Sequence, residues 1–184
     1  MAILFLLVTA AAIACGGSDD SFDASEFDPL TSVPFILEVR SPSFDEGAEI
    51  PVVHTCDGED EMPVISWQRP PDSTGSIAVI IDDPDAPNGI FSHMVVFNLP
   101  GNQTSIRPGI KSESGGPIIG VNDFGRNDFG GPCPPQGETH EYRFNVYALL
   151  ESLDLDESAE AEDVLAAMRG SVIGHGTLAA RYGR

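Results

Sequence analysis

The pattern of hydrophobic and polar positions predicts a domain built mainly from β-strands. Residues 76–81 form a continuous apolar run, typical of a central strand covered on both faces. In residues 93–99, one phase of the alternation contains His93, Val95, Phe97 and Leu99. In residues 140–149, one phase contains His140, Tyr142, Phe144, Val146 and Ala148. Side chains alternate between the two faces of a strand, so each histidine is predicted to face the interior with its apolar neighbours.

Helical periodicity appears only near the end of the chain. The spacing i, i+3, i+4 and i+7 is filled by Ala161, Val164, Leu165 and Met168. Gly170 is a plausible stop for this helix. Residues 171–182 could form a second helix, although each of the two glycines within it disfavours helix by about 1 kcal/mol relative to alanine.

Composition and charge narrow the class of protein. The chain has 184 residues, enough for one domain, and its 19 glycines and 15 prolines favour turns and short strands over an all-helical fold. With 29 acidic and 9 basic residues the net charge is −20. Such a surface repels phosphate backbones, so the sequence predicts no nucleic-acid partner.

The start of the chain resembles an export signal followed by a lipid-attachment cysteine. Residues 1–14 are apolar and too short to span a bilayer, so they are predicted to be a signal peptide. Cys15 would carry the lipid, residues 15–32 would form a flexible acidic tether, and residues 33–184 the domain. The expectation is an exported envelope lipoprotein that meets the membrane only through this anchor. A simple signal cleaved near Ala14, or a buried N-terminal strand or helix, are the alternatives.

The cysteine count agrees with export. If Cys15 is the lipid site, Cys56 and Cys133 remain as an even pair beside turn-forming residues. An oxidising compartment would let them form a disulfide. Two reduced core thiols are the alternative, because sequence separation does not show whether their Cα atoms approach each other.

Three segments carry residues with possible chemistry. The sequence Asp83-Pro84-Asp85-Ala86-Pro87 follows the central strand directly, and its Ala86–Pro87 bond is a candidate for the cis form. His93 and His140 lie on the two strands described above, and a glycine- and proline-rich loop precedes His140. An acidic β-turn and two core histidines are the simpler explanation. Two buried imidazoles need polar partners, however, so the histidines and the acidic turn are predicted to converge on one cavity.

These motifs together resemble the phosphatidylethanolamine-binding protein family, in its bacterial and archaeal Raf-kinase-inhibitor-like branch. The resemblance rests on the Asp83–Pro87 motif, on His93, and on the loop Gly131-Pro132-Cys133-Pro134-Pro135 before His140 and Tyr142. It implies an antiparallel β-sandwich with short C-terminal helices. It also implies a small pocket for phosphate-like anions or phospholipid headgroups. The implied pocket wall is Asp83, Asp85, Pro87, His93, Gly131, Pro132, His140 and Tyr142.

The residues together predict a binding module, not an enzyme, with no cofactor and no metal. A histidine or tyrosine would donate hydrogen bonds to an anion while a carboxylate orients the imidazole. The sequence contains no nucleophile-elbow motif and no His-Glu-x-x-His spacing. The alternative is an inhibitor of a secreted or envelope serine protease, which would make a protease the partner. A hydrolase that uses the Asp and His residues is a third possibility.

Overall fold

Two unequal β-sheets and one short α-helix make up the described chain. A computed structural model describes residue 33 and residues 35–184. The predicted signal peptide, Cys15 and the tether lie outside these residues. The strands are β1 Phe35–Ile36, β2 Val39–Arg40, β3 Ile65–Trp67, β4 Ser76–Asp83, β5 Phe91–Pro100, β6 Ser105–Ile106, β7 Ile118–Ile119, β8 Thr139–Leu149 and β9 Val172–Gly183. The helix α1 spans Ala161–Ala167, and a 3₁₀ turn spans Val52–His54.

The larger sheet has six strands in the order β1-β9-β8-β4-β5-β7, and the smaller has the order β2-β3-β6. All neighbouring strands pair antiparallel except β1 and β9, which run parallel. The prediction of a mainly β fold is confirmed. The larger sheet is mixed, because of its one parallel pair, and the smaller sheet consists of very short strands.

The central strand β4 is covered on both faces, as its continuous apolar run predicts. All eight of its residues are buried. Ile77, Val79 and Ile81 face an inter-sheet core shared with strands β2, β3 and β6 of the smaller sheet. Ala78 and Ile80 face a helix-side core, which also contains buried residues of α1 and of the segment before it. The larger sheet is therefore the middle layer of the fold. Because both faces of its central strand are covered, a site is expected at the ends of the strands.

The helix confirms the predicted periodicity. Val164 and Met168 are fully buried in the helix-side core, and Ala161 and Leu165 pack against it. The backbone N–H of Glu160 donates to Asp163 at 3.0 Å, which satisfies an amide before the first turn. Among the described residues, no helix is long and apolar enough to cross a membrane.

The predicted second C-terminal helix is wrong, because residues 172–183 form strand β9. This strand pairs with the whole of β8, from Thr139 opposite Gly183 to Leu149 opposite Val172. Its glycines allow close approach of the chain at the other edge. A Cβ atom at Gly176 would lie 1.9 Å from the carbonyl oxygen of Leu37. Strand pairing thus overrides any local helical tendency.

The predicted phase of strand β5 is wrong, whereas that of β8 is confirmed. Tyr142, Phe144, Val146 and Ala148 of β8 all lie in the inter-sheet core. In β5, however, Val95 and Phe97 face the helix-side core while Leu99 faces the inter-sheet core. The register against β4 shifts twice, and Asn98 adopts a positive φ of 58° near one shift. A β-bulge adds one residue and reverses the phase beyond it.

Candidate functional site

The site lies where the end of β4 meets the beginnings of β5 and β8. Both neighbours run antiparallel to β4, so their first residues adjoin its last ones. This arrangement brings Asp83 at the end of β4 next to His93 of β5 and His140 of β8. The polar segments that the sequence singled out therefore meet at one edge of the larger sheet.

A bulge in β5 turns His93 toward this edge. Ile81 is opposite Met94 and Asp82 is opposite Ser92, so His93 is the extra residue with no partner in β4. Its ring makes an edge contact with the ring of Tyr142, with centroids 5.2 Å apart. Bulges commonly redirect a side chain in this way.

A cavity of about 570 Å³ opens at this edge. Its walls are residues 86–91, Asp123 and Phe124, residues 133–135, and the trio Asp83, His93 and His140. Four of the eight predicted wall residues line it, namely Asp83, Pro87, His93 and His140. The volume lies within the range of pockets that hold small organic ligands.

Asp83 and His140 form a buried pair at the base of the cavity. The Nδ1 atom of His140 donates to Oδ2 of Asp83 at 2.7 Å, and the side chains are only 5% and 6% exposed. The Nε2 atom of His140 lies 3.3 Å from Glu138, whose side chain is 56% exposed. Burial lowers the pKa of His140, but the hydrogen bonds with Asp83 and Glu138 outweigh it, so the pKa lies above its ordinary value. The surroundings of His140 therefore favour its positively charged form more than water does.

His93 has the opposite character. Its Nδ1 atom donates to the carbonyl oxygen of Gly130 at 2.6 Å. Burial lowers the pKa of His93 against the opposing effect of that hydrogen bond and of the nearby carboxylates. Near neutral pH the ring is uncharged, and Nε2 is the nitrogen that remains for a ligand, as an acceptor. The two histidines that the sequence treated as equivalent donors thus differ in the direction of their pKa shifts and in hydrogen-bonding role.

The acidic turn after β4 supports Asp83. The backbone N–H of Asp85 donates to Oδ1 of Asp83 at 2.9 Å, and the carboxylate of Asp85 accepts from the backbone N–H of Glu141 at 2.9 Å. Asp85 itself is exposed and does not line the cavity. The described residues contain no cis peptide bond, so the expected cis form of Ala86–Pro87 is wrong.

Gly131 and Pro132 lie behind the cavity wall, where they connect it to the loop that follows residue 55. The backbone N–H of Gly131 donates to Asp60, and a Cβ atom at Gly131 would lie 2.5 Å from Oδ1 of Asp60. The carbonyl oxygen of Pro132 accepts from the backbone N–H of Cys56. The predicted disulfide between Cys56 and Cys133 is present, with Cα atoms 5.4 Å apart. Its Cys133 half is part of the cavity wall.

Tyr142 lies beneath the cavity, not on its surface. The side chain is fully buried in the inter-sheet core, and its ring contacts both histidine rings. Burial and the neighbouring Asp83 carboxylate raise the pKa of Tyr142 well above its ordinary value. The ring of Tyr142 thus packs against both imidazole rings.

Aromatic and acidic wall residues are the part of the site that the sequence did not single out. Phe91 and Phe124 make an edge contact, with ring centroids 4.9 Å apart, and Asp123 lines the cavity beside them. Oδ2 of Asp123 accepts from the backbone N–H of Ser92. Only two sequence features could have marked these residues. Phe91 lies just before His93 on the same strand, and Asp123 and Phe124 lie close to the glycine- and proline-rich loop.

Comparison with known proteins identifies the family of the chain. The family model for phosphatidylethanolamine-binding proteins matches residues 40–183. The chain belongs to this family. The phosphatidylethanolamine-binding proteins to which it is similar include YbcL of Escherichia coli, whose crystal structure gives a TM-score of 0.74 at 30% sequence identity. That alignment covers 80% of this chain and 98% of YbcL.

Two curated sequences extend the family assignment. A UPF0098 protein of Aquifex aeolicus is 44% identical over 153 residues, covering 81% of this chain and 90% of the relative. A Mycobacterium tuberculosis protein named "Putative lipoprotein LppC" is 32% identical over 177 residues, covering 91% of this chain and 87% of the relative. Among residues 33 and 35–184 of this family member, no three His, Cys, Asp or Glu side chains are grouped to hold a metal ion.

Proposed function

We propose that this protein is a non-catalytic binding module whose cavity takes a phosphate-bearing headgroup-sized ligand. The observation that carries the proposal is the convergence of Asp83, His93 and His140 on one cavity of about 570 Å³. His140 supplies a charged donor for a phosphate oxygen, held in position by Asp83. Membership of the phosphatidylethanolamine-binding protein family supports a headgroup as the ligand class.

The state of the wall residues supports binding over catalysis. In the described part of the chain, no serine or threonine lines the cavity, and Cys133 is held in a disulfide. Asp83 already accepts two hydrogen bonds, from Asp85 and His140. In this proposal the Asp83 carboxylate orients the imidazole of His140. Inhibition of a serine protease, the alternative from the sequence, stays a prediction.

Binding of phosphoethanolamine should depend on His140 and on its competitor Glu138. His140→Ala should weaken binding by about tenfold or more, because a hydrogen bond to a charged group contributes about 1.5–3 kcal/mol. Glu138→Gln should strengthen binding, since it removes a negative charge that competes for Nε2 of His140. Calorimetric titration measures both, and Glu157→Gln, at an exposed residue that does not line the cavity, serves as the charge-matched control. Equal affinities for all four proteins would contradict the assignment of His140.

Binding of inorganic phosphate should strengthen as the pH falls. At a pH above the pKa of His93, its Nε2 atom is only a hydrogen-bond acceptor. Below that pKa the same atom carries a proton and donates to the anion. Because burial lowers the pKa of His93, affinity should continue to rise below pH 6.5, the ordinary histidine value. His93→Gln should flatten this rise in a titration series from neutral to mildly acidic pH. An affinity that falls with pH would contradict the role of His93.

We also propose that the protein is exported and anchored through a lipid on Cys15. The match to the relative named as a lipoprotein supports this, because it covers 91% of the chain. Mass spectrometry of the protein expressed in a bacterial host should find a diacylated cysteine at the mature N-terminus. Cys15→Ser should abolish the modification and release the protein from the membrane fraction. An unmodified Met1 in the mature protein would contradict the proposal.

A further inference from the structure

The turn from Ala86 to Gly89 is part of the cavity wall and carries an asparagine followed by a glycine. The backbone N–H of Gly89 donates to the carbonyl oxygen of Ala86 at 3.2 Å, which closes the turn. Asn88 and Gly89 are both exposed. This pair therefore meets water on the same wall that carries Asp83 and His140.

The carboxamide of Asn88 is not held by the fold. The chain has six asparagines, and all of them lie in the described part of the chain. Four hold their carboxamides in hydrogen bonds, namely Asn98, Asn122, Asn127 and Asn145. Among residues 33 and 35–184, no hydrogen bond engages the carboxamide of Asn88 or that of Asn102. The side chain of Asn88 can therefore turn its carbonyl carbon toward the next backbone nitrogen.

The residue after Asn88 leaves that nitrogen accessible. Gly89 has no side chain, so nothing on the residue itself shields its backbone nitrogen. A Cβ atom at Gly89 would meet no atom within 4 Å, so the surrounding structure leaves the position open as well. Its φ of 109° lies in a region that glycine adopts at little cost and other residues rarely adopt. The 3.2 Å bond to Ala86 is at the long end for an N–H···O bond, so it holds this nitrogen only weakly.

We propose that Asn88 is a site of spontaneous deamidation, which places a carboxylate on the cavity wall. The backbone nitrogen of Gly89 attacks Cγ of Asn88, so that an N–Cγ bond forms and a cyclic imide closes. The Cγ–Nδ2 bond breaks, and ammonia leaves with the proton that the backbone nitrogen gave up. Water then adds to one of the imide carbonyls and opens the ring to aspartate or isoaspartate. Water is the co-reactant, and the new carboxyl group is ionised near neutral pH.

The product changes the charge of the cavity. Asp83 and Asp123 already place carboxylates among the lining residues, and the whole chain has a net charge of −20. A further carboxylate at position 88 repels a phosphate in the same cavity. The affinity for inorganic phosphate should fall by about threefold or more, as expected for like charges close together in water. This consequence rests on the proposed function, whereas the deamidation itself does not.

Ageing of the purified protein in mildly alkaline buffer tests the reaction, because the attacking nitrogen must lose its proton. Peptide mapping by mass spectrometry should show the amide at position 88 converted to aspartate and isoaspartate, with the conversion growing over time. Asn102 is the internal control, because it is exposed like Asn88 but is followed by Gln103. Most of Asn102 should keep its amide. An intact Asn88, or equal conversion at both positions, would overturn the inference and leave the proposed function standing.

Calorimetric titration with inorganic phosphate measures the consequence for the cavity. Asn88→Asp should bind about threefold more weakly than freshly purified wild type, and aged wild type should move toward the same affinity. Asn88→Gln keeps a carboxamide whose longer side chain closes the ring far more slowly, so its affinity should not change on ageing. Asn102→Asp adds the same charge away from the cavity wall and should match wild type. Equal affinities for Asn88→Asp and wild type would overturn the effect on the cavity. Absence of phosphate binding in every protein would overturn the proposed function and leave the deamidation standing.

Discussion

Replacing Cys56 and Cys133 together by serine is expected to lower the free energy of unfolding by about 4 kcal/mol. The disulfide joins residues 77 positions apart, so its loss restores conformational freedom to a long loop of the unfolded chain. Chemical denaturation measures the change, in a Cys15→Ser background so that no third cysteine exchanges with the pair. Treating the parent protein with a thiol reductant should reproduce the same loss.

The disulfide variant also tests how the cavity wall is held. Gly131 and Pro132 also make backbone hydrogen bonds to the loop that contains Asp60 and Cys56, and these bonds are expected to persist without the disulfide. The folded double variant should therefore retain phosphoethanolamine binding within about threefold, an effect below 1 kcal/mol. A destabilisation of less than about 1 kcal/mol would contradict the entropic argument for the disulfide.

Asp83→Ala is expected to lower the free energy of unfolding by about 3 kcal/mol, because it removes one partner of a buried ion pair. The side chains of Asp83 and His140 are 6% and 5% exposed, so solvent replaces little of the lost hydrogen bond. Glu138→Gln is the matched control. It removes the second, 56% exposed carboxylate near the same imidazole and should cost less than about 1 kcal/mol. Similar losses for both variants would contradict the assignment of Asp83 as the main partner.

The pH dependence of the Asp83→Ala effect tests its electrostatic origin. The pKa of His140 is raised in the folded protein, so the charged pair contributes fully below about 6.5, the ordinary histidine value. Its contribution is lost as the pH rises through the raised pKa. The difference in unfolding free energy between wild type and Asp83→Ala should therefore narrow as the pH increases from about 6 to about 9. A difference that widens over this range would contradict the charge state given to His140.

The sequence predicted the elements whose local pattern coincides with their burial. The apolar run of β4, the alternation of β8 and the spacing of α1 each describe a face that one core covers. The Cys56–Cys133 disulfide followed from the even pair left in a chain predicted to be exported. Four of the eight predicted pocket residues line the cavity, because three motifs occupy strand ends that antiparallel pairing brings together.

Only the tertiary structure decided the elements that depend on register. The bulges in β5 are set by pairing with β4, so alternation within β5 could not show that Leu99 and Phe97 face different cores. The glycines of β9 look like helix-weakening residues in the sequence. They are needed because β1 and the chain after it lie against them, with Leu37 leaving no room for a Cβ atom at Gly176.

The roles of the histidines likewise come from contacts between distant segments. Sequence alone placed His93 and His140 in the interior but could not tell them apart. Burial favours the neutral form of His93, and a carbonyl 37 residues away accepts from its Nδ1 atom, which leaves Nε2 as the acceptor. A carboxylate 57 residues away favours the charged form of His140. The sequence thus determined which residue types are available at the edge of the sheet. The fold determined their charges, because a pKa depends on burial and on neighbours that only long-range pairing supplies.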